Sequence, residues 1–370
     1  ELWSADVSMA FLRGQTFTEI AANTGTKVRA IQFDLPNGGP NLLREFPGFE
    51  SFDSFGETLS MDKPGFGTKD APWAWGIELR GTMIAFGFRP TQADTRFYAL
   101  HRANAPEFVV KALGAAREGG PNSRESNELL GVCSTHVDDL KGACSPPVRV
   151  VFLTFLERKY GKLVIQLRCF TCVGIRHRQD DDYTVTMDQD EYAAQMRPID
   201  TASVNHQPDD YLVPMFMVML YMSLLGGIAW MVLTRVDICV FVNRLQRNAK
   251  APRLVDVKDL NKLLRWVKRQ TSSTVYRKLV GPVCLAVLTD AAFRADETDC
   301  LALRAAIAII VEIRGDRPGG NFHLLDFYSR KQSRVNRSTF SAELNAMLEA
   351  IDLGLVLSCF VTEVLHGTSS

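Results

Sequence analysis

Thr135-His136-Val137-Asp138-Asp139-Leu140 sets two adjacent carboxylates between apolar flanks, with Leu129-Leu130-Gly131-Val132 before them and Leu140 after. Neighbouring aspartates repel one another, so few arrangements justify placing them where strands bury side chains. Two readings fit. In one, the acids hold a divalent cation, because hard cations take carboxylate oxygens and phosphoryl-transfer enzymes use such acids in pairs. In the other, they close a hairpin, because aspartate favours turns. Both predict strands over 129–135 and 140–143 with the two acids at the turn between them.

Two segments upstream extend the pattern. Ala5-Asp6-Val7-Ser8-Met9-Ala10-Phe11-Leu12 ends a short apolar run on a single carboxylate. Lys63-Pro64-Gly65-Phe66-Gly67-Thr68-Lys69-Asp70-Ala71-Pro72-Trp73-Ala74-Trp75 lies between the two acidic sites. In this order the three segments resemble the reverse transcriptase of copia-type LTR retrotransposons. The palm of that family carries Asp-Val-x-x-Ala-Phe-Leu, then Tyr-Gly-Leu-Lys-Gln-Ala-Pro-Arg-Ala-Trp, then Tyr-Val-Asp-Asp. Gly87-Phe88-Arg89-Pro90-Thr91-Gln92-Ala93-Asp94 resembles the family's Gly-Phe-x-x-Ser-x-x-Asp. Tyr221-Met222-Ser223-Leu224-Leu225-Gly226, Leu233-Thr234-Arg235-Val236-Asp237-Ile238 and Leu264-Arg265-Trp266-Val267-Lys268 resemble the connection that follows the palm. Asp290-Ala291-Ala292-Phe293, Tyr328-Ser329-Arg330-Lys331-Gln332 and Ser341-Ala342-Glu343-Leu344 resemble its ribonuclease H domain. The motifs keep the family's order and cover nearly the whole chain.

The resemblance implies an α+β protein with a polymerase palm followed by a partial ribonuclease H-like α/β domain. The reverse-transcriptase-like palm would occupy 1–200 and lack most of the fingers. A thumb- or connection-like helical region would follow over 201–280, and the ribonuclease H-like part would occupy 281–370. The implied activity is RNA-directed DNA polymerisation with two Mg2+ or Mn2+ ions per active site. Its partners would be RNA template, DNA primer, RNA–DNA hybrid and dNTP, besides the rest of a Pol polyprotein. Asp6 and Asp138 would bridge the metals, with Asp139 in support. They lie 132 positions apart, so only folding joins them, as two neighbouring palm strands would. Phe11 matches the family's aromatic near the sugar. Gly67, Lys69 and Pro72 match the loop beneath the incoming nucleotide, where glycine permits close backbone approach and lysine meets phosphate. Asp290, at the end of a strand, and Glu343, near the start of a helix, match the first two carboxylates of the ribonuclease H metal site.

Departures from the family pattern open a second reading. His136 replaces the aromatic before Val-Asp-Asp, Asp70 replaces a Gln, and Trp73 replaces an Arg. The fingers segment that precedes Asp6 in the family is absent, and the chain stops before the family's third ribonuclease H carboxylate. The chain therefore reads either as a polymerase fragment or as a catalytically dead, nucleic-acid-binding relic.

Composition fits a folded protein of two or three domains, with 46% apolar residues in 370. Lys+Arg and Asp+Glu are both 42, so overall charge names no partner. Residues 235–278 nevertheless carry 12 basic side chains against 3 acidic ones. Such local asymmetry suits a surface facing phosphates. Arg244, Arg247, Lys250, Lys262, Arg265, Lys268 and Arg269 are the expected contacts, and a merely solvated helix face is the alternative.

Cys169 and Cys172 form a lone CxxC and read as buried thiols in a strand. Without a signal peptide, the expected location is intracellular, cytoplasmic or nuclear. Tyr211 to Leu233 is almost uncharged and of membrane-spanning length. Pro214 and Gly226-Gly227 interrupt it, so it is read as a buried helix; no membrane is expected, and membrane association through 211–233 is the minor alternative. Helices are predicted over 7–14, Pro72–Phe86, Val257–Gln270 and Ser341–Thr362, and strands over Val283–Thr289, Ala305–Ile313 and Phe322–Tyr328. The polar stretch 114–128 is predicted to be a loop.

Overall fold

The computed structural model describes residues 1–114, 128–293 and 301–367, and its architecture is mixed α and β. Most of the polar stretch expected to loop lies outside the described residues. The chain divides into two compact units. One comprises Ser4–Ile165 with the C-terminal end from Glu363, the other Glu1–Trp3 with Gln166–Thr362.

The first unit is built on a six-stranded sheet. Its elements are β1 (Leu2–Asp6), α1 (Phe17–Thr24), β2 (Ile31–Phe33), α2 (Gly39–Leu43), β3 (Leu59–Met61), α3 (Ala71–Phe86), β4 (Arg89–Pro90), β5 (Phe97–His101), α4 (Glu107–Gly114), β6 (Leu129–His136), β7 (Asp139–Cys144), α5 (Pro146–Tyr160) and β8 (Val164–Leu167). The strand order is β4-β5-β6-β7-β1-β8, while β2 and β3 form a separate ribbon. The position of β1 between β7 and β8 matters most, because it brings a residue from the start of the chain beside the β6–β7 hairpin. That hairpin forms where the apolar flanks predict it, but with His136 opposite Asp139 and Thr135 opposite Leu140 its turn is Val137-Asp138, and Asp139 opens β7 instead of sharing the turn.

Helix α3 shows why its sequence is helical. Pro72 sits in its first turn, where a missing N–H costs nothing. Trp75, Leu79, Met83 and Phe86, at spacings of four, four and three, are all at most 1% exposed. Gly87 ends the helix at φ 108°, and a Cβ there would lie 2.2 Å from the Asn104 carbonyl oxygen. α3 meets α5 through Trp75 against Tyr160 and Phe86 against Phe152, with ring centroids 5.1 and 4.8 Å apart. The helix expected over 7–14 is instead a single 3-10 turn, Ala10–Arg13, entered through Met9 at φ 57°. The N–H of Val7 is turned to the Asp138 carbonyl, which keeps the chain extended past Asp6.

The second unit continues with β9 (Cys169–Cys172), β10 (Ile175–Gln179), β11 (Val185–Asp188), α6 (Asp190–Gln195), α7 (Met215–Met231), α8 (Cys239–Arg247), α9 (Leu254–Arg269), β12 (Thr274–Tyr276), β13 (Val283–Ala292), β14 (Leu303–Arg314), β15 (Arg317–Lys331) and α10 (Thr339–His366). An antiparallel sheet in the order β12-β11-β10-β9 stands beside a helical core built from α6, α7, α8 and α9. A second antiparallel sheet, β13-β14-β15, packs against the start of α10.

This division differs from the boundaries expected at 200 and 280, for three reasons visible in the bonding. β12 returns to pair with β11, so 274–276 joins the strands before the helices. The Tyr276 hydroxyl then donates to the Leu324 carbonyl at 3.2 Å, and the Asn243 side-chain amide to the Ser329 carbonyl at 2.6 Å. Helical region and three-stranded sheet are thereby one unit.

Three local expectations change. Cys172 is buried but Cys169 is exposed, because residues three apart in a strand face opposite sides. β13 runs on to Ala292, so Asp290 lies within the strand, opposite Ala305, and not at its end. Segment 211–233 yields α7, whose Met217, Tyr221, Leu224, Leu225, Ile228 and Met231 are buried, while Met215, Phe216, Met219, Leu220 and Met222 are exposed. It is a helix with one buried face. At 17 residues it falls short of the roughly 20 that span a bilayer. Among the described residues, the helix long and apolar enough to cross a membrane is α10. α10 packs its small residues inward. Ala342, Ala346 and Ala350 are at most 4% exposed, while Leu344, Leu348, Ile351 and Leu355 are exposed.

Candidate active site

The end of β1 and the β6–β7 turn form an acidic site from three side chains. Neighbouring β1 and β7 place Asp6 next to the turn, and the Val7 N–H donates to the Asp138 carbonyl at 3.3 Å. Asp6, Asp138 and Asp139 are each partly exposed, so they face solvent without being free of the protein. Burial, and then the Asp138 carboxylate, hold the Asp6 pKa above its ordinary value. Burial raises Asp139 too, with further repulsion from Asp138 and Asp6; His136 and Lys141 act in the opposite direction. The Asp138 charge therefore reaches both Asp6 and Asp139. Among the described residues, no group of three or more His, Cys, Asp or Glu side chains is already gathered at metal-binding spacing.

The turn itself is strained. Val137 has φ 56°, a left-handed conformation that a β-branched residue adopts only when its surroundings impose it. The indole N–H of Trp75 donates to the Val137 carbonyl at 2.6 Å. Trp75 is fully buried, held edge-on to Tyr160. Sequence reading placed Trp75 on the inner face of α3 but gave no sign of this bond, because only tertiary packing brings residues 62 positions apart together.

The other residues expected near a nucleotide lie in the same unit. The Phe11 ring packs edge-on against Phe66, centroids 5.1 Å apart. Gly67 turns at φ 86°, and a Cβ added there would point into open space. Lys69 and Pro72 are exposed. Asp70 pairs with Arg29. Gly14 lets the turn after Phe11 lie on α3, since a Cβ there would be 3.0 Å from the Trp75 backbone nitrogen.

The second expected acidic pair is arranged differently. Ala291 packs with Ala342 and Ala346 of α10. Strand alternation therefore turns the exposed Asp290 to the other face of the sheet, away from the helix that carries Glu343. The structure brings their backbones to one end of the sheet but does not join their side chains.

All seven basic residues singled out in 244–269 are exposed, yet they are not equivalent. Arg244 pairs with Asp259 at 2.9 Å. Lys268 donates to the Ala194 and Met196 carbonyls at 3.1 and 2.5 Å, covering the end of α6. Lys262, Arg265 and Arg269 recur along one face of α9, at spacings of three and four. Lys262 and Arg269 line a groove of about 380 Å³ between α8 and α9, together with Phe241 and Trp266. Arg235, by contrast, is structural: it is 3% exposed, forks onto Asp237 at 2.9 Å, and stacks on Trp266 at 5.0 Å. Arg247 and Lys250 lie on the surface near the end of α8.

No protein-family model matches the chain, and no solved structure matches it. It is 21% identical over 306 residues to the retrovirus-related Pol polyprotein from transposon RE1 of Arabidopsis thaliana, covering 81% of this chain and 19% of that protein. It is 21% identical over 350 residues to the retrovirus-related Pol polyprotein from transposon RE2 of the same plant, covering 92% of this chain and 20% of that protein. The chain thus spans about a fifth of the length of the curated relatives it matches. It is a distant relative of retrotransposon Pol polyproteins.

Proposed function

We propose that the first unit is a copia-type reverse-transcriptase palm, and that Asp6, Asp138 and Asp139 carry nucleotidyl transfer in a retroelement Pol fragment. One observation carries this reading: β1 lies beside β7, and the Val7 N–H donates to the Asp138 carbonyl at 3.3 Å, so Asp6 stands next to acids 132 positions away in sequence. The distant kinship with transposon Pol polyproteins supports it.

The donor set suits Mg2+ or Mn2+, which prefer carboxylate oxygen and retain places for water and phosphate. The repulsion among the three acids is the charge that a divalent cation would relieve. When bound, a pair of such ions makes a primer 3′-hydroxyl more acidic and stabilises charge developing on the triphosphate. Asp6 and Asp138 are the residues to hold them, with Asp139 supporting. Phe11, packed against Phe66, would exclude a ribose 2′-hydroxyl in this reading. The exposed Lys69 offers a cation to phosphate, and Gly67 lets the backbone approach the nucleotide closely. RNA template, DNA primer and dNTP are the substrates of this reading, and the exposed basic face of α9 is its surface for an RNA–DNA hybrid.

The test is a Mn2+ titration followed by primer extension on an RNA template. Mn2+ binding that is lost in Asp138→Asn is expected. Equal binding by both proteins overturns the assignment.

A second reading keeps nucleic-acid binding without catalysis. It is favoured by the absence of a gathered three-ligand group among the described residues. Hybrid binding that persists in a protein showing neither Mn2+ binding nor extension would select it.

A further inference from the structure

We propose that Trp75 is a positioning residue whose indole N–H holds the carboxylate turn in its strained shape. For the metal site this proposal rests on the reading above; for the turn itself it rests on geometry alone. Three observations converge. Val137 is β-branched and sits at φ 56°, where such a residue is held only by its surroundings. Its carbonyl accepts the Trp75 indole N–H at 2.6 Å. The next carbonyl, that of Asp138, accepts the Val7 N–H at 3.3 Å. The turn is therefore pinned on successive peptides, from α3 at one and from the end of β1 at the other.

The anchor on the α3 side is rigid. Trp75 is fully buried. Its ring lies edge-on to Tyr160 at 5.1 Å. The Tyr160 hydroxyl is 2.6 Å from Thr82 Oγ1, and Lys159 reaches the same oxygen at 2.8 Å and Glu78 at 2.6 Å. A buried indole N–H normally finds an acceptor, and here the acceptor is the strained peptide. Without the donor, Val137 is free to return to an extended conformation. That rotation would re-aim Asp138 and Asp139 relative to Asp6. Trp75 touches no reacting atom; it acts through the turn.

Two features separate this role from ordinary packing. It depends on the N–H and not on the ring, and it depends on the side chain at 137. Glycine at 137 bears no penalty at positive φ, so it should keep the turn's shape when the donor is gone. The experiment uses the full chain with Trp75→Phe, with the isosteric benzothienylalanine at position 75, and with Val137→Gly in each background. The isostere keeps the ring volume and guards against simple unfolding.

Two quantities are read: the unfolding constant in urea, and affinity for Mn2+ alone. Removing the donor should weaken Mn2+ about tenfold or more, the usual effect of losing a group that orients a metal ligand. Val137→Gly should restore most of that loss. In the double-mutant cycle, loss of the donor should shift the unfolding constant about fivefold more with Val137 present than in the Val137→Gly background. Additive effects in the cycle overturn the proposal, as does full Mn2+ affinity in the isostere variant. If the cycle shows coupling but the unsubstituted protein and Asp138→Asn bind Mn2+ equally, the hold on the turn stands and the metal-site reading fails.

Discussion

Charge on one face of α9 should dominate the salt dependence of nucleic-acid binding, and the structure says which residues to change. Seven basic side chains are exposed in 244–269, but Arg244 is engaged by Asp259 and Lys268 by the Ala194 and Met196 carbonyls. Neither releases a full set of counterions without first giving up a partner inside the protein. Lys262, Arg265 and Arg269 share a helix face and are exposed, Arg269 donating only a long 3.4 Å bond to the Arg265 carbonyl of the same helix. Each phosphate contact contributes about 0.9 to the slope of log K against log salt. The triple variant Lys262→Ala, Arg265→Ala, Arg269→Ala should therefore lower the slope's magnitude by about 2.7. Between about 50 and 200 mM KCl, that difference alone is about fortyfold in relative affinity. Fluorescence anisotropy with a labelled RNA–DNA hybrid measures it directly. Lys268→Ala is the internal contrast: it should leave the slope nearly unchanged while lowering thermal stability, because α6 loses its carbonyl partner. A triple variant with the original slope, or a larger slope change from Lys268→Ala, would refute the proposal that this face of α9 meets phosphate.

Other perturbations test the fold that supports the site. Phe86 is fully buried, with the rings of Phe88, Phe108, Phe152 and Phe155 all within 5.9 Å. Phe86→Ala should cost about 3–5 kcal/mol in urea denaturation; a loss below about 1 kcal/mol would mean that this cluster is not a core. Ala346 is fully buried between α10 and the three-stranded sheet, so Ala346→Leu should overpack it and cost about 1–3 kcal/mol, whereas Leu348→Ala on the exposed side should be nearly neutral. Glu312 accepts the Val280 and Asn321 N–H groups at 3.0 and 3.2 Å, which hold its pKa below the ordinary 4.5. A carboxyl depressed in the folded state stabilises above its unfolded pKa and loses that contribution as pH falls through the folded value. Glu312→Gln should therefore flatten the acid side of the melting-temperature profile below about pH 4.5, and an unchanged acid limb would count against these bonds.

How much of this was legible in the sequence depends on how local each feature is. The β6–β7 hairpin was readable because its apolar flanks and acidic residues are contiguous, although its turn falls on Val137-Asp138 and leaves Asp139 in β7. The buried face of α3 was readable from spacing alone, and so was that of α9, where Leu260, Leu263, Leu264 and Val267 are all buried. Juxtaposition of Asp6 with Asp138 was reachable only through family resemblance, since nothing local to either residue specifies its partner. The left-handed Val137 was unreadable: valine is among the residues least suited to that conformation, and the cause lies in a helix 62 positions away.

Asp290 shows a different kind of limit. Its neighbourhood resembles a ribonuclease H motif, and the structure has a strand there that packs on the helix carrying Glu343, although the strand runs past Asp290 to Ala292. A motif names residues, however, while a metal site requires side chains on one face. That is settled by register: Ala291, not Asp290, meets the helix, and a shift of one residue exchanges the two. The same logic governs the apolar helices. Hydropathy singled out 211–233 and passed over α10, because composition does not reveal which side of a helix is covered. α10 presents alanines to its sheet and leucines to solvent, the reverse of what residue size alone suggests. Formal charge fails in the same way, since Arg244 and Lys268 count as cations in the sequence but are already engaged by the fold. In each case chain order supplies the chemical groups, while facing and partnership are set by tertiary contacts. Substitutions that change facing or partnership while keeping composition are therefore the most informative ones to make here.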